Sequence, residues 1–496
     1  MNEFVPLIGS QTDRGIDANV AAAPTKDQLF QNCLFYPVEN AWTGKKTIFV
    51  EKRPGVPASG TTDANYVTIT GFYHWRALGT TCRYGLYIPA GAVYRMTIVD
   101  SGGENLDSSV SVNPIFHVSE GKNASGVTAI FYIASGSTNQ YTSVYMWADG
   151  DVAETTITVP SGSCGHLAHI DGYVFVGNVD GRIYNSGLNA PTTGYTDFIG
   201  ADIHPDVLVT VYKYKNYLLG FGTNALEWYR IGEQTTGSPL QRIPELFQKI
   251  GIYKTPPAGG IGGLYTGNAP PIVDGNNTIY WIAQTEDGLS VYTMDDTRPK
   301  KISDSIQEKY LQSFSGSIKY VEVGKRKLLL ISTTAEDSSI QWLCYDIELS
   351  LWTIWTSTEV SFAKWNNTIN GQGLIMADGN VYYEWTPDDD VPYLDITDDI
   401  TRKIRTSIID GDTNDYKDFT SFALIGDQQT TTSNITVKWT KDDYQTWNTG
   451  RTIDMSSANP KTHALGVARR IAFELTETNQ NAGRLRGIEL DYNVRR

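Results

Sequence analysis

The sequence predicts an all-β chain: a β-propeller of six or seven blades followed by a small C-terminal β-domain. Three observations predict it. Six stretches share one plan, an apolar run, a polar turn of a few residues, and a second run carrying Trp or Tyr. Their starts lie 44, 44, 62, 49 and 46 residues apart, the period of a four-stranded sheet repeated around an axis. Beyond residue 395 the plan gives way to strict apolar/polar alternation, the mark of half-buried antiparallel strands. One hairpin cannot bury its apolar face alone, so the repeats must pack side by side until the ring closes and few strand edges remain exposed.

The elements follow in order. Residues 1–60 read as a leader segment packed on the body, with a short helix at Thr25–Phe35 and then Pro37, Pro54 and Pro57. The propeller spans 61–390. Tyr73–Tyr87 is a candidate seventh, less regular hairpin, placed before the six at Ala129–Trp147, Tyr173–Tyr184, Tyr217–Trp228, Ile279–Tyr292, Leu328–Tyr345 and Leu374–Tyr383. The longest gap holds a Gly- and Pro-rich insertion at 231–275, read as a loop on one face of the ring that touches something. Near Pro387 the pattern breaks at DDDVPYLDITDD. The alternations Ile435/Val437/Trp439, Ile471/Phe473/Leu475 and Ile488/Leu490/Tyr492/Val494 then predict a C-terminal sandwich-like domain at 395–496, part of which would alternatively complete the last blade.

Composition agrees with a strand-and-turn protein. Gly 46, Tyr 29 and Trp 12 with only 19% charged residues suit a pleated interior filled by aromatics. The start lacks a basic and apolar signal pattern, and no run reaches the roughly 18 apolar residues of a membrane span, which predicts a soluble, unsecreted chain. Cys33, Cys82, Cys164 and Cys344 are scattered without a CxxC pair, so reduced thiols made in a cytoplasm are expected. A net charge of −15 argues against a protein that grips nucleic acid, because such grip comes from cations neutralising phosphates. It leaves room for a surface past which DNA slides.

Motifs for chemistry are few. Thr440-Lys441-Asp442-Asp443-Tyr444-Gln445-Thr446-Trp447 resembles the Asp-box of sialidases, with Tyr444 where that pattern has glycine. The box is a hairpin turn in which the Asp bonds backbone N–H groups, so the structural reading is preferred. A glycosidase needs two carboxylates roughly 5 to 9 Å apart. Glu286-Asp287-Gly288, Asp180-Gly181 and Asp378-Gly379 are the carboxylates of hairpin turns that backbone geometry already demands. Asp388–Asp390 with Asp398 and Asp399 lack the alternating ligands and glycine of a calcium loop and read as a solvated linker. Cys164-Gly165-His166 with His169 has ligand types at close spacing but no second cluster to complete a tetrahedral set. No GxSxG, Walker loop or HExxH occurs. No catalytic, cofactor-binding or metal-binding residue is therefore assigned.

The one basic concentration is Arg469, Arg470, Arg484, Arg486, Arg495 and Arg496. These are either the solvated face of strands whose other face is core, or contacts to a partner's acidic surface or to passing DNA.

Several stretches together resemble the tail hub, or packaged-DNA stabilisation protein, of P22-like short-tailed bacteriophages. They are Pro6-Leu7 with Gly9, Tyr36-Pro37-Val38, and the turn Arg53-Pro54-Gly55-Val56. Phe221-Gly222-Thr223-Asn224-Ala225-Leu226-Glu227-Trp228-Tyr229 follows, then Gln248-Lys249 with Gly251-Ile252, and Ile302-Ser303-Asp304-Ser305-Ile306. A Gly-x-x-Arg-Arg strand closes the series at Gly466, Arg469 and Arg470, running into Ile471-Ala472-Phe473-Glu474-Leu475. The resemblance spans most of the chain outside residues 60–170, and its Arg-Pro-Gly turn also occurs in the tail nozzles of related podoviruses.

The resemblance implies a structural virion protein of the tail, assembled in the bacterial host cytoplasm as a ring of six below the portal and head-tail adaptor. Such a ring contacts the tail plug or needle and the tail fibre or spike, retains packaged double-stranded DNA and conducts it during ejection. It brings no enzymatic residues, no cofactor and no integral membrane segment. The alternative from another class is a propeller that binds or hydrolyses glycans, motivated by the Asp-box-like turn.

Overall fold

The computed structural model describes residues 2–7, 29–39, 46–56, 61–62, 73–74, 84–87, 93–97, 103–107, 115–134, 140–148, 155–201, 206–232, 237–254, 270–323, 326–334, 340–357, 365–367, 374–378, 381–385, 393–411, 413–481 and 483–495. Most of them are strand, and one α-helix, Ser305–Leu311, stands among them. The chain divides into two compact units, one of residues 60–340 with 361–384, the other of residues 1–59 with 341–360 and 385–496.

The first unit is a succession of antiparallel sheets. Sheet A runs Tyr73–His74, Tyr84–Tyr87, Val93–Thr97, Gly103–Asp107, so the irregular early hairpin is a hairpin. Sheet B has seven strands in chain order: Ile115–Lys122, Thr128–Ala134, Gln140–Ala148, Thr155–Ile170, Tyr173–Asn178, Arg182–Gly187 and Ala190–Gly200. Its 16-residue fourth strand serves two neighbours. Thr155–Thr158 faces Ser143–Met146, whereas Leu167–Ile170 faces Tyr173–Val176, with a register shift opposite Pro160 and Gly162 (φ +85°).

Sheet C runs Leu208–Tyr214, Tyr217–Gly222, Leu226–Ile231, Leu240–Arg242, and its last strand comes from the expected 231–275 insertion. Sheet D runs Ile272–Gly275, Thr278–Thr285, Gly288–Met294, Lys300–Lys301; Phe314–Val323 then pairs with Arg326–Thr334. In sheet E, Trp365–Asn367, Leu374–Asp378 and Val381–Trp385 are joined by Thr61–Thr62 from the other end of the unit, with Thr62 opposite Val381. Turns follow the residues: Gly181 (φ +84°) after Asp180, Gly288 (φ +117°) after Asp287, and Asn276 with Asn277 at φ 54° and 61°. Gly379 lies outside the described residues.

The sheets pack pairwise on buried side chains. Phe131, Val144, Ile157 and Val174 share one cluster within sheet B. Phe175 and Ile183 of sheet B meet Leu208, Val211 and Leu218 of sheet C. Trp228 and Phe221 of sheet C meet Trp281 of sheet D. The runs that looked apolar are thus the faces that bury against the next sheet.

The second unit differs from the expected layout. The leader was expected to lie against the propeller body, and the C-terminal domain to begin near 395. Instead Cys33–Glu39 pairs with Lys46–Lys52, and Asn2–Pro6 pairs with Leu485–Val494, whose other side takes Lys417–Gly426 and then Lys461–Ala468. A second sheet of this unit holds Ile340–Asp346, Leu351–Thr356, Leu29–Gln31, Arg402–Arg405, Ala472–Glu477, Asn434–Thr440 and Arg451–Asp454. The two bury a common core that includes Phe35, Val50, Phe419, Phe422, Ile435, Trp439, Phe473, Ile488 and Leu490.

The described part of the helix expected at Thr25–Phe35 is strand instead: Leu29–Gln31 and Cys33–Glu39, separated by Asn32 at φ 55°; residues 25–28 lie outside the described residues. The spacing of Leu29, Phe30, Cys33 and Leu34 suits a helix locally, but open strand edges elsewhere in the unit take these residues up. The fifth hairpin, Leu328–Tyr345, has strands at Arg326–Thr334 and Ile340–Asp346, and the boundary between the units falls at residue 340.

Candidate functional site

The Arg-Pro-Gly turn is built as an anchor. Arg53 is fully buried, and its Nη1 and Nη2 donate to Asp395 Oδ1 and Oδ2 at 2.9 and 2.5 Å. Its Nε donates to Asn32 Oδ1 at 2.9 Å and Nη2 also to the Thr356 carbonyl at 2.8 Å. Every face of the guanidinium is answered, which is the condition for burying a charge. Gly55 is needed for close approach, since a Cβ there would fall 1.9 Å from the Leu394 carbonyl oxygen. Beside it Lys52, also fully buried, donates to the Asn479 carbonyl, and burial lowers its pKa to about 8. Arg402 donates to Glu477 and to the Val50 carbonyl at 3.1 Å.

The resembling segments of the first unit are fasteners. In Phe221–Tyr229, Glu227 is buried, ion-paired with Arg242 Nε at 3.1 Å and accepting the Tyr229 hydroxyl at 2.7 Å. Phe221 sets its ring edge-on to Trp281 of sheet D at 5.6 Å. The stretch from Gln248 to Tyr253 then laces sheets C and D together. Gln248 exchanges backbone bonds with Leu226, Ile252 N–H donates to Gly222, Tyr253 N–H to Ile282, and the Trp281 indole to the Gly251 carbonyl at 3.2 Å. A Cβ on Gly251 would lie 2.2 Å from the Thr223 carbonyl. Ser303 accepts from Val291 N–H at 3.0 Å, and Asp304 caps the Ser305–Leu311 helix in a capping box with Gln307.

A polar and aromatic belt runs from the first and fourth strands of sheet B to the first strands of sheets C and D, and sequence reading singled out only part of it. The His117 ring meets the His166 ring edge-on at 4.3 Å, and His166 meets the Tyr212 ring at 5.5 Å. Tyr212 in turn donates to Asp274 Oδ1 at 2.8 Å. Next to Asp274, a Cβ on Gly275 would strike the Tyr320 ring. His117 Nε2 bonds the Leu167 carbonyl at 3.0 Å, while Thr210 Oγ1 is 3.2 Å from His166 Nδ1. Burial holds the His117 pKa down to about 4 and His166 well below its ordinary value. These imidazoles are neutral at pH 7. His117 carries no local motif, and only the pairing of strands brings it to His166.

The residues weighed for chemistry are occupied structurally. Asp442 Oδ1 accepts from Thr446 N–H at 2.9 Å and from the Thr440 hydroxyl at 2.6 Å, and these bonds hold its carboxyl at about 2. Tyr444 takes the position of the box glycine at φ 68°, anchored by its hydroxyl to the Thr406 carbonyl at 2.8 Å. His169 stacks on Phe131 and Cys164 is a buried free thiol. Glu286, Asp287, Asp398 and Asp399 are exposed. Asp388–Asp390 lie outside the described residues. Among the described residues no group of three His, Cys, Asp or Glu comes together, and no helix is long and apolar enough to cross a membrane.

The arginines separate into two groups along the strand Leu485–Val494, whose 10 residues span about 30 Å. At one end Arg484 pairs with Glu51 at 3.2 Å, and Arg486 lies over the Phe4 ring at 5.4 Å. At the other end are Arg495, paired with Asp418 at 3.3 Å, Arg470, paired with Asp443, and Arg469, which lies over the Tyr416 ring at 4.9 Å. Arg496 lies outside the described residues.

No protein-family model and no curated protein sequence matches the chain. Among solved structures it is similar to the computationally designed Ika8 protein, with 10% identity, TM-score 0.37, and 67% of this chain and 100% of that one covered. Raptor from Chaetomium thermophilum matches with 9% identity, TM-score 0.39 and coverage of 68% and 29%. An exo-beta-1,3-galactanase from Phanerochaete chrysosporium matches with 9% identity, TM-score 0.29 and coverage of 77% and 97%. Scores this low carry no argument about fold or activity.

Proposed function

We propose that this chain is a structural virion protein of a short-tailed bacteriophage, a ring-forming tail hub or nozzle subunit that retains packaged DNA and conducts it during ejection. Its first unit is read as a propeller. Sheet B counts as two blades sharing the strand Thr155–Ile170, sheets A, C, D and E as one each, and the pair at Phe314–Thr334 as part of another, which makes seven. Two features support this reading of the fold: Thr61–Thr62 complete the sheet begun by Trp365–Asn367, and the belt from His117 to Asp274 crosses from the shared strand Thr155–Ile170 of sheet B to the first strands of sheets C and D.

One observation carries the functional reading. The segments that resemble the tail-hub family, Arg53–Val56, Phe221–Tyr229, Gln248–Ile252 and Ile302–Ile306, are those that bolt strands and sheets together. The part these segments play is therefore mechanical, as a ring subunit that withstands packaged DNA requires. The acidic balance suits a conduit, because many bound phosphates would hold DNA too strongly to release it.

The test is mass photometry of the purified chain, alone and with portal and adaptor proteins of a candidate phage, followed by electron-microscope averaging. A six-fold ring with a hole as wide as a DNA duplex, joined to the adaptor, is the expected result. A persistent monomer that hydrolyses glycans, with the activity lost on replacing one carboxylate, would overturn it in favour of the glycan-active alternative.

A further inference from the structure

The arginines near the end of the chain differ in what answers their charge. Arg470, Arg484 and Arg495 each face a carboxylate. Arg469 at one end of the strand Leu485–Val494 lies over the Tyr416 ring and Arg486 at the other over Phe4, and among the described residues no carboxylate pairs with either. A guanidinium stacked on a ring keeps its N–H edge open for a bidentate acceptor.

We propose that Arg469 and Tyr416 are the centre of a docking surface for the acidic surface of a second copy of this chain. The proposal rests on the ring reading above and names the contact between neighbours. Tyr416 is 52% exposed, and Val467, which precedes Arg469 by two residues on the edge strand Lys461–Ala468, is 37% exposed. Arginine and tyrosine beside an apolar residue are the usual energetic centres of interfaces.

The pair is also held in place before any partner arrives. Lys417, fully buried, donates from Nζ to the carbonyls of Thr413 at 2.6 Å, Asp415 at 3.0 Å and Arg469 at 2.9 Å. The Tyr416 carbonyl accepts from Arg495 N–H at 2.8 Å. Ordering cost at the surface is thereby removed in advance.

Charge selects the occupant. Residues 461–496 carry seven Lys and Arg against four Asp and Glu, whereas the whole chain carries −15. A second copy thus presents an acidic surface on average, with exposed carboxylates such as Glu286 and Asp287. Head-to-tail contact between unlike patches is also what closes a ring. DNA is the poorer fit, because the neighbouring Arg470 and Arg495 are already neutralised and duplex binding draws on several cations at once.

The experiment compares self-association of the full chain with that of Arg469→Glu, Tyr416→Ala and the charge-keeping Arg469→Lys, by mass photometry over a concentration and salt series. Lys417 bonds the backbone carbonyl of residue 469, so Arg469→Glu should melt at the wild-type temperature. Expected is association weakened at least about tenfold in Arg469→Glu, an intermediate loss in Tyr416→Ala, a small one in Arg469→Lys, and weakening of the wild type by salt. If the wild type assembles and Arg469→Glu assembles equally well, the docking surface is overturned and the ring reading stands. A wild type that stays monomeric with adaptor and portal present removes the ring reading and this proposal together. Retained self-association with loss of binding to a DNA duplex would reassign the surface to DNA.

Discussion

Arg53 and Asp395 stand 342 positions apart in the chain and meet in two parallel hydrogen bonds at a fully buried site. The pair joins the segment after Lys46–Lys52 to the start of the C-terminal strands. Removing one partner leaves the other buried and unanswered, which costs about 3 to 5 kcal/mol. Arg53→Ala is therefore expected to lower the denaturant midpoint of the second unit strongly. Arg53→Lys should recover little of it, because an ammonium cannot reproduce the fork. A midpoint unchanged in Arg53→Ala would contradict the anchoring role.

Gly55 and Gly251 are fixed by the space around them. A methyl group at either would press on a backbone oxygen, at 1.9 Å from Leu394 and 2.2 Å from Thr223 respectively. Backbone gives way less readily than a side chain, and overpacking of this kind costs about 1 to 3 kcal/mol or more. Gly55→Ala should speed proteolytic cleavage near the Arg-Pro-Gly turn, and Gly251→Ala should do so between residues 248 and 272. Protease patterns identical to wild type would refute both.

The histidine pair predicts an acid limb. Burial holds His117 at about 4 against an ordinary 6.5, and His166 well below it. The unfolded chain therefore takes up protons first as pH falls, so the contribution is fully present above pH 6.5 and is lost on the way down to about 4. For His117 alone the loss is on the order of 3 kcal/mol. Among the described residues no carboxylate bonds either imidazole; what faces the pair is the Tyr212 ring, Thr210 and the Leu167 carbonyl. His117→Phe should be less stable at pH 7 for want of the Leu167 bond, yet lose less stability than wild type between pH 7 and pH 5. Parallel urea-midpoint curves for the two would sink the assignment.

Asp442 distinguishes a turn from a catalyst. Its carboxylate is committed to Thr440 and Thr446, which hold it ionised down to about pH 2. Asp442→Asn is expected to lower the melting temperature modestly, through loss of charge-assisted bonds. Any glycan-cleaving activity that vanished in this variant while its melting curve stayed unchanged would point the other way.

Much of the strand pattern was legible because turns and strands have local causes. Asp180-Gly181 and Asp287-Gly288 announce their hairpins through the positive φ that glycine supplies, and the alternation at Ile488, Leu490 and Tyr492 is the buried face of its strand. The leader was not legible. Leu29, Phe30 and Cys33 fit a helix by spacing, and only the edges at Arg402–Arg405 and Leu351–Thr356, more than three hundred residues away, make strand the better state. The candidate sites divide in the same way. Asp442 could be read as a turn from eight consecutive residues, whereas His117 acquires a role through a neighbour 49 positions on, and the placement of Arg469 over the Tyr416 ring depends on strand register.

The pairing of Thr61–Thr62 with Val381–Tyr382, and of Asn2–Pro6 with Gly487–Asp491, sets a timetable for biosynthesis. A ribosome adding about 5 to 20 residues per second needs roughly 25 to 100 seconds for a chain of this length. For most of that time the earliest strands have emerged without the partners they await. Neither unit can close until its last strands have emerged, so completion is governed by the slow search for distant pairings. A message cut short upstream of codon 485 would yield a polypeptide with open strand edges at its start, a natural substrate for holdase chaperones and proteases.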